Sequence, residues 1–191
     1  MSFGERLATI ITFQLLLDVG MNACLLDARK LILTDAQHGN ALVKRDDTVN
    51  LIRNEIRPSS QIVYVVPGFI ASTADGVTTT LGRNGSDYTA ALIAAAVGAE
   101  ELEIWTDVNG MMSADPRQVD AAFVINQLSY QEAMEMCYFG ARVIHPYTMI
   151  PVVEKGIPIT IKNTSQPQLQ GSQITPKASN RIHSITGIQP A

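Results

Sequence analysis

The sequence predicts an α/β sandwich with a mostly parallel sheet, and three observations carry that expectation. Apolar residues recur at helical spacing in several segments. The run Gln61-Ile62-Val63-Tyr64-Val65-Val66 is β-branched or aromatic at every position after Gln61 and closes on Pro67-Gly68. Beyond it, helix and strand patterns alternate. Taking the elements in order, residues 4–18 carry Leu7, Ile10, Ile11 and Leu15 at helical spacing and stop at Gly20, where a left-handed cap fits. Two short β-like runs, 23–27 and 31–34, precede a turn-rich stretch with Gly39-Asn40. Residues 49–56 read as a helix ended by Pro58. The 61–66 run lacks polar alternation, which predicts a strand buried on both faces. A glycine-rich turn then leads into a helix over 86–97, a strand over 102–106, helices over 129–139 and 146–155, and a strand over 158–162. Ser129-Tyr130-Gln131-Glu132 has capping-box spacing and sets the start of its helix. Residues 163–191 turn polar, rich in Gln, Ser and Pro, and read as a linker with one apolar patch at 182–188.

With 191 residues, 46% hydrophobic and 17% charged, the chain can bury a core and is expected to form one domain of a soluble protein. A net charge of -4 and no dense Lys/Arg cluster argue against a nucleic-acid surface, which leaves small-molecule chemistry. Cys24 and Cys137 lie far apart without C-x-x-C or histidine pairing, so they read as two buried thiols, and no metal-ligand set is expected. The apolar run 8–17 is interrupted by Gln14, is too short for a bilayer and lacks export features. The expectation is a cytoplasmic protein with no membrane partner.

Three segments could carry chemistry. In Leu81-Gly82-Arg83-Asn84-Gly85-Ser86-Asp87, two glycines permit close backbone approach and Ser86 is placed to cap a helix whose free N–H groups attract anions. Arg83 within it can grip a carboxylate through two parallel hydrogen bonds. The alternative is an ordinary strand-to-helix turn with a solvated arginine. In Ile104-Trp105-Thr106-Asp107-Val108-Asn109-Gly110, a strand ends in Thr106-Asp107 and enters a loop reaching Asp115-Pro116-Arg117. Ligands of open α/β sheets bind beyond the carboxyl ends of strands, although Asp107 could equally start a turn and pair with Arg117. Glu5 in Ser2-Phe3-Gly4-Glu5-Arg6 is explained as a first-turn residue complementing the helix dipole. His145, before Pro146, reads as structural.

Taken together, Ser-Phe-Gly-Glu, Thr-Leu-Gly-Arg-Asn-Gly-Ser-Asp-Tyr, Trp-Thr-Asp-Val-Asn-Gly, Ala-Asp-Pro-Arg and Phe-Gly-Ala-Arg-Val-Ile-His-Pro resemble aspartokinase motifs in the family's order and approximate spacing. The similarity covers residues 1 to about 175, and the Gly-Arg-Asn-Gly-Ser-Asp-Tyr form looks like the kinase part of bifunctional aspartokinase–homoserine dehydrogenases. The resemblance implies the amino-acid kinase, carbamate kinase-like fold, a three-layer αβα sandwich. It also implies ATP-dependent phosphorylation of the L-aspartate side chain to 4-phospho-L-aspartate, for lysine, threonine and methionine synthesis. By motif matching, Glu5 would hold the substrate ammonium and Arg83 its α-carboxylate, with Ser86 and Asp87 shaping the pocket and Arg83 and Asp87 carrying the chemistry. Thr106, Asp107, Met112 and Arg117 would lie on the nucleotide side and Arg142 near the phosphates. Mg²⁺ would be held mainly by phosphates and water, and the parent protein would be a homo-oligomer.

Three departures accompany the resemblance. The family's amino-terminal Lys-Phe-Gly-Gly-Thr-Ser loop is missing, so the chain is expected to be an N-terminally truncated fragment with little turnover. Met112 stands where tyrosine is usual and Arg142 where lysine is usual. Residues 1–175 are expected to be a partial catalytic domain and 176–191 a linker, since Ser184-Ile185-Thr186-Gly187-Ile188 resembles the approach to an ACT regulatory domain. Two other readings compete: another amino-acid kinase acting on glutamate or carbamate, and a non-catalytic effector-binding or assembly module.

Overall fold

In a computed structural model the chain divides into two compact units, Met1–Val97 and Gly98–Ala191. The structure describes residues 2–59, 61–138 and 143–177.

The first unit opens with α1 (Ser2–Asp18), closed by a Schellman turn in which Met21 N–H donates to Leu16 O at 2.9 Å and Gly20 N–H to Leu17 O at 2.9 Å. The apolar spacing located this helix but not its packed side. Ser2, Arg6, Thr9, Phe13 and Leu16 are half-buried, whereas Leu7, Ile10, Ile11 and Leu15 are exposed. Strands β1 (Ala23–Leu25) and β2 (Val63–Val65) pair in parallel, and α1 packs on both. Contrary to the expectation from its unbroken apolar run, β2 is half-buried along its length, since among the described residues β1 is the strand that pairs with it.

Between β1 and β2 come a 3-10 turn (Ala28–Lys30), an extended piece and α2 (Arg45–Glu55). Asp27 caps the 3-10 turn by accepting from Arg29 N–H at 3.1 Å, and its carboxylate also pairs with the Arg29 guanidinium. The expected β-run at 31–34 forms two isolated bridges, Leu33 with Ser72 and Thr34 with Val43. Helix α2 starts four residues before the predicted 49, because Asp46 and Asp47 favour the positive end of the helix dipole, and the wholly buried Thr48 Oγ1 meets Leu33 N–H at 3.1 Å.

A short antiparallel hairpin, β3 (Ile70–Ser72) with β4 (Thr78–Thr80), leads to α3 (Gly85–Val97), which packs on α2. Leu31, Ile32, Ile52, Ile56, Ala71, Leu81, Leu92 and Ala96 form the core of this unit.

The second unit holds a four-stranded sheet in the order β5 (Leu102–Thr106), β7 (Ile159–Asn163), β8 (Ser172–Thr175), β6 (Gln127–Ser129). The β5–β7 and β6–β8 pairs are parallel and β7–β8 is antiparallel, so three of the five ladders in the described residues are parallel. Strand β8 corrects the reading of everything beyond residue 163 as linker, because Ser172 and Ile174 are buried inside the sheet. The linker reading of 176–191 and the patch at 182–188 fall almost entirely outside the described residues.

Helices α4 (Tyr130–Tyr138) and α5 (Pro146–Val153) pack on one another, and α4 packs on β6 and β8. The capping box is closed in both directions. Glu132 N–H donates to Ser129 Oγ at 3.2 Å, and Ser129 N–H donates to Glu132 Oε2 at 2.7 Å. Ser129→Ala should therefore destabilise the chain by about 1 kcal/mol, with Ser129→Thr near wild type, as measured by urea unfolding.

Candidate functional site

The Gly82–Asp87 turn belongs wholly to the first unit. Gly82 has φ +75, and a Cβ there would meet Asn40 Oδ1 at 2.5 Å, so both backbone conformation and space demand glycine. Asn84 also takes positive φ, 55°, which asparagine tolerates. Its carbonyl accepts Tyr88 N–H at 3.0 Å and so starts the α3 ladder. This corrects the expected cap: α3 begins at Gly85, so Ser86 lies inside the first turn and does not cap it. The consequence favours anion binding, because first-turn N–H groups have no intrahelical acceptor.

Arg83 is exposed, and its guanidinium has no hydrogen bond or ion pair among the described residues. Asp87 is half-buried and accepts from Asn84 Nδ2 at 3.2 Å. Burial raises its pKa above the ordinary carboxylate value, and the Asn84 amide opposes that in part. An acid raised in the folded state contributes stability that is fully present below its unfolded pKa and is lost as pH rises through the folded one. Asp87→Asn should thus be more stable than wild type at pH 7, with the gap closing toward pH 3, in thermal melts across that range.

Glu5 lies in the first turn of α1, exposed, and no hydrogen bond or ion pair joins it to Arg83. The turn instead rests on the elbow Pro67-Gly68-Phe69 after β2. Phe69 has φ 70, a conformation costing a bulky residue roughly 1–2 kcal/mol. The sequence marks this elbow only as the Pro67-Gly68 close of the β-branched run and gives no sign of its contact with the Arg83 turn.

The second unit brings Thr106, Asp107 and Met112 into one loop system. Thr106 ends β5, and its Oγ1 lies 3.2 Å from Asp107 Oδ1, while its carbonyl accepts Thr164 N–H at 2.9 Å. Thr106 faces Asn163 in the parallel β5–β7 register. The buried Asn163 spans the loop, donating from Nδ2 to Asn109 Oδ1 at 2.6 Å. Ser172 Oγ accepts Met111 N–H at 2.8 Å, and Met112 bridges Val124. Sequence reasoning missed Asn163 and Ser172. Applying the strand-end rule to the strand at 158–162, as it was applied to Thr106, points to Asn163.

Arg117 is exposed, and its N–H donates to Asp115 Oδ1 at 2.9 Å. No Asp107–Arg117 ion pair forms among the described residues, so that surface-pair explanation does not hold. Arg142 lies outside the described residues. No group of three or more His, Cys, Asp or Glu side chains converges among the described residues. No helix among them is long and apolar enough to cross a membrane.

The sequence profile of the amino acid kinase family matches residues 1–163. The chain belongs to the amino acid kinase family. Among its relatives, lysine-sensitive aspartokinase 3 of Escherichia coli K12 is 38% identical over 180 residues, 94% of this chain and 40% of that protein. The chloroplastic bifunctional aspartokinase/homoserine dehydrogenase 2 of Zea mays is 50% identical over 118 residues, 62% of this chain and 13% of that one.

Among solved structures, E. coli aspartokinase III in complex with aspartate and ADP superposes with a TM-score of 0.87 at 38% identity, over 94% of this chain and 40% of that one. An isopentenyl phosphate kinase, at 18% identity and TM-score 0.59, shares the fold. This family member thus spans 40% of the length of its E. coli relative.

Proposed function

We propose that the protein to which this chain belongs is an aspartate kinase, transferring the γ-phosphoryl group of ATP to the side-chain carboxylate of L-aspartate in the cytoplasm. It would serve lysine, threonine and methionine synthesis. The observation that carries this reading is the superposition on an aspartokinase whose crystal structure holds aspartate and ADP. The chain's own geometry is compatible with it. A free guanidinium at Arg83 beside the open first turn of α3 suits the substrate α-carboxylate, and Ser86 and Asp87 stand within that same turn. Glu5, the acidic group in the first turn of α1, takes the substrate ammonium. Thr106, Asp107, Met112 and Arg117 take the nucleotide, and Arg142 the phosphates.

The acceptor carboxylate has an ordinary pKa near 4, so it is ionised at neutral pH and requires no general base. Its oxygen forms the new bond to phosphorus as the bond to the β-phosphate oxygen breaks and ADP leaves. The protein's part is alignment and neutralisation of charge. When bound, Mg²⁺ would supply charge neutralisation across the phosphates.

Titration calorimetry on the 191-residue chain with L-aspartate, L-glutamate and Mg-ADP tests the binding half. L-Aspartate binding at least tenfold tighter than L-glutamate, together with nucleotide binding, is the expected result. Equal affinities would favour a different amino-acid acceptor, and no binding of either acid would remove the reading. ADP release by the whole protein tests turnover.

A further inference from the structure

The elbow after β2 and the Arg83 turn are joined through a single buried hydroxyl. Thr89 is 3% exposed, and its Oγ1 accepts the Phe69 N–H at 3.1 Å while donating to the Gly85 carbonyl at 2.9 Å. A threonine bonding to the carbonyl four residues back is common in helices. Less common is that the same oxygen also receives an N–H from an element twenty residues away.

Two further contacts grip the same elbow. The Phe69 carbonyl accepts Leu81 N–H at 3.0 Å, at the start of the turn. Its ring lies against Gly85, where a Cβ would meet Phe69 Cδ2 at 2.9 Å. Gly68 approaches equally closely, since a Cβ there would meet Ser86 Cα at 2.8 Å. The N–H, the carbonyl and the ring of Phe69 are thus each committed to a different residue bordering or entering α3. Its positive φ of 70 persists because these three contacts over-determine it, and such held strain is characteristic of functional sites.

We propose that Thr89 and Phe69 are positioning residues that set the pose of the Arg83–Ser86 turn and thereby the substrate α-carboxylate site. This inference rests on the reading of that turn as the carboxylate site. Neither side chain is assigned contact with substrate. Thr89 acts through the Gly85 carbonyl and the Phe69 amide, and Phe69 acts through its ring on Gly85. If Thr89 loses its hydroxyl, Phe69 N–H is left without a partner, and the elbow has reason to relax out of its left-handed conformation. The face against which Gly85 and Ser86 rest then moves.

The test compares Thr89→Val, which keeps the volume and removes the hydroxyl, with Thr89→Ser, which restores it. L-Aspartate affinity should weaken about tenfold in the valine variant and stay within twofold of wild type in the serine variant, with Mg-ADP affinity unchanged in both. Hydrogen exchange provides a readout independent of ligand: the hydrogen-bonded amides of Leu81, Gly85 and Tyr88 should exchange about tenfold faster in the valine than in the serine variant. Equal exchange in the two variants overturns the proposal, as does wild-type aspartate affinity in Thr89→Val. If wild type binds no aspartate, the functional reading fails and the exchange rates alone decide the positioning role. Should Thr89→Val not fold, Thr89→Ala carries the same comparisons.

Discussion

Replacing Arg83 with alanine should weaken L-aspartate binding about 100-fold while leaving the stability of the chain within about 0.5 kcal/mol of wild type. The two halves of this expectation come from the same fact. Arg83 is exposed and its guanidinium has no partner among the described residues, so folding gains little from it and loses little without it. A bound carboxylate would be its first strong partner. A two-pronged guanidinium–carboxylate contact at a partly dry helix N-terminus is worth roughly 2–3 kcal/mol, which is the source of the 100-fold figure. Arg83→Lys keeps the charge but not the planar fork, and should fall between, at about tenfold. Calorimetric titration with L-aspartate and a thermal melt on the same three proteins decide the matter. Unchanged affinity in Arg83→Ala would move the carboxylate site elsewhere, and a large drop in melting temperature would make Arg83 a structural residue instead.

Turns and helix starts were more legible in the sequence than the contacts that hold them. Glycines at 82 and 85 with Ser86 announced a turn into a helix, because positive φ and helix starts leave local residue signatures. Which residue starts the helix was not local. Asn84 comes just before it and accepts its first ladder bond, in a left-handed conformation that an asparagine beside Gly85 allows but does not dictate. The same holds for Asn163 and Ser172, each of which clamps the 107–111 loop from more than fifty residues away. Strands β3 and β4 were missed because three residues apiece, one of them a bare threonine triplet, carry almost no period. Helix α1 shows the reverse failure. Its apolar spacing was clear, yet the side that meets β1 and β2 carries Arg6 and Thr9 beside Phe13 and Leu16. Periodicity finds a helix; packing partners decide which face is inside.

Strand β8 was the largest misreading, and Gly171, the residue before it, gives the second large expected effect. Gly171 has φ +73, and a Cβ there would sit far inside contact distance of the Ile161 carbonyl oxygen. That atom belongs to β7, where Ile161 is fully buried and pairs with Ser172 across the antiparallel ladder, so it cannot swing aside as a side chain would. Gly171→Ala must either part β7 from β8 or flatten the turn that starts β8. We expect a loss of about 3–4 kcal/mol, made up of roughly 1–2 kcal/mol for the left-handed backbone and the rest for the clash.

Gly156→Ala supplies the control. It shares a positive φ of +67, but its Cβ would have Pro176 Cγ, at 3.9 Å, as its nearest neighbour, so only the backbone cost remains. The difference between the two variants isolates the clash. Urea unfolding followed by Trp105 fluorescence measures it well, because Trp105, the chain's single tryptophan, sits on β5 with the Lys162 ammonium of β7 5.0 Å from its ring centroid. The effect should also reach the loop proposed to take the nucleotide. Ser172 follows Gly171 directly and accepts Met111 N–H, so displacing the start of β8 loosens the loop that carries Met112. Mg-ADP affinity should therefore fall in Gly171→Ala under conditions where the variant is still folded, and hold in Gly156→Ala. Equal stabilities of the two alanine variants would mean that β8 does not press on β7 as described.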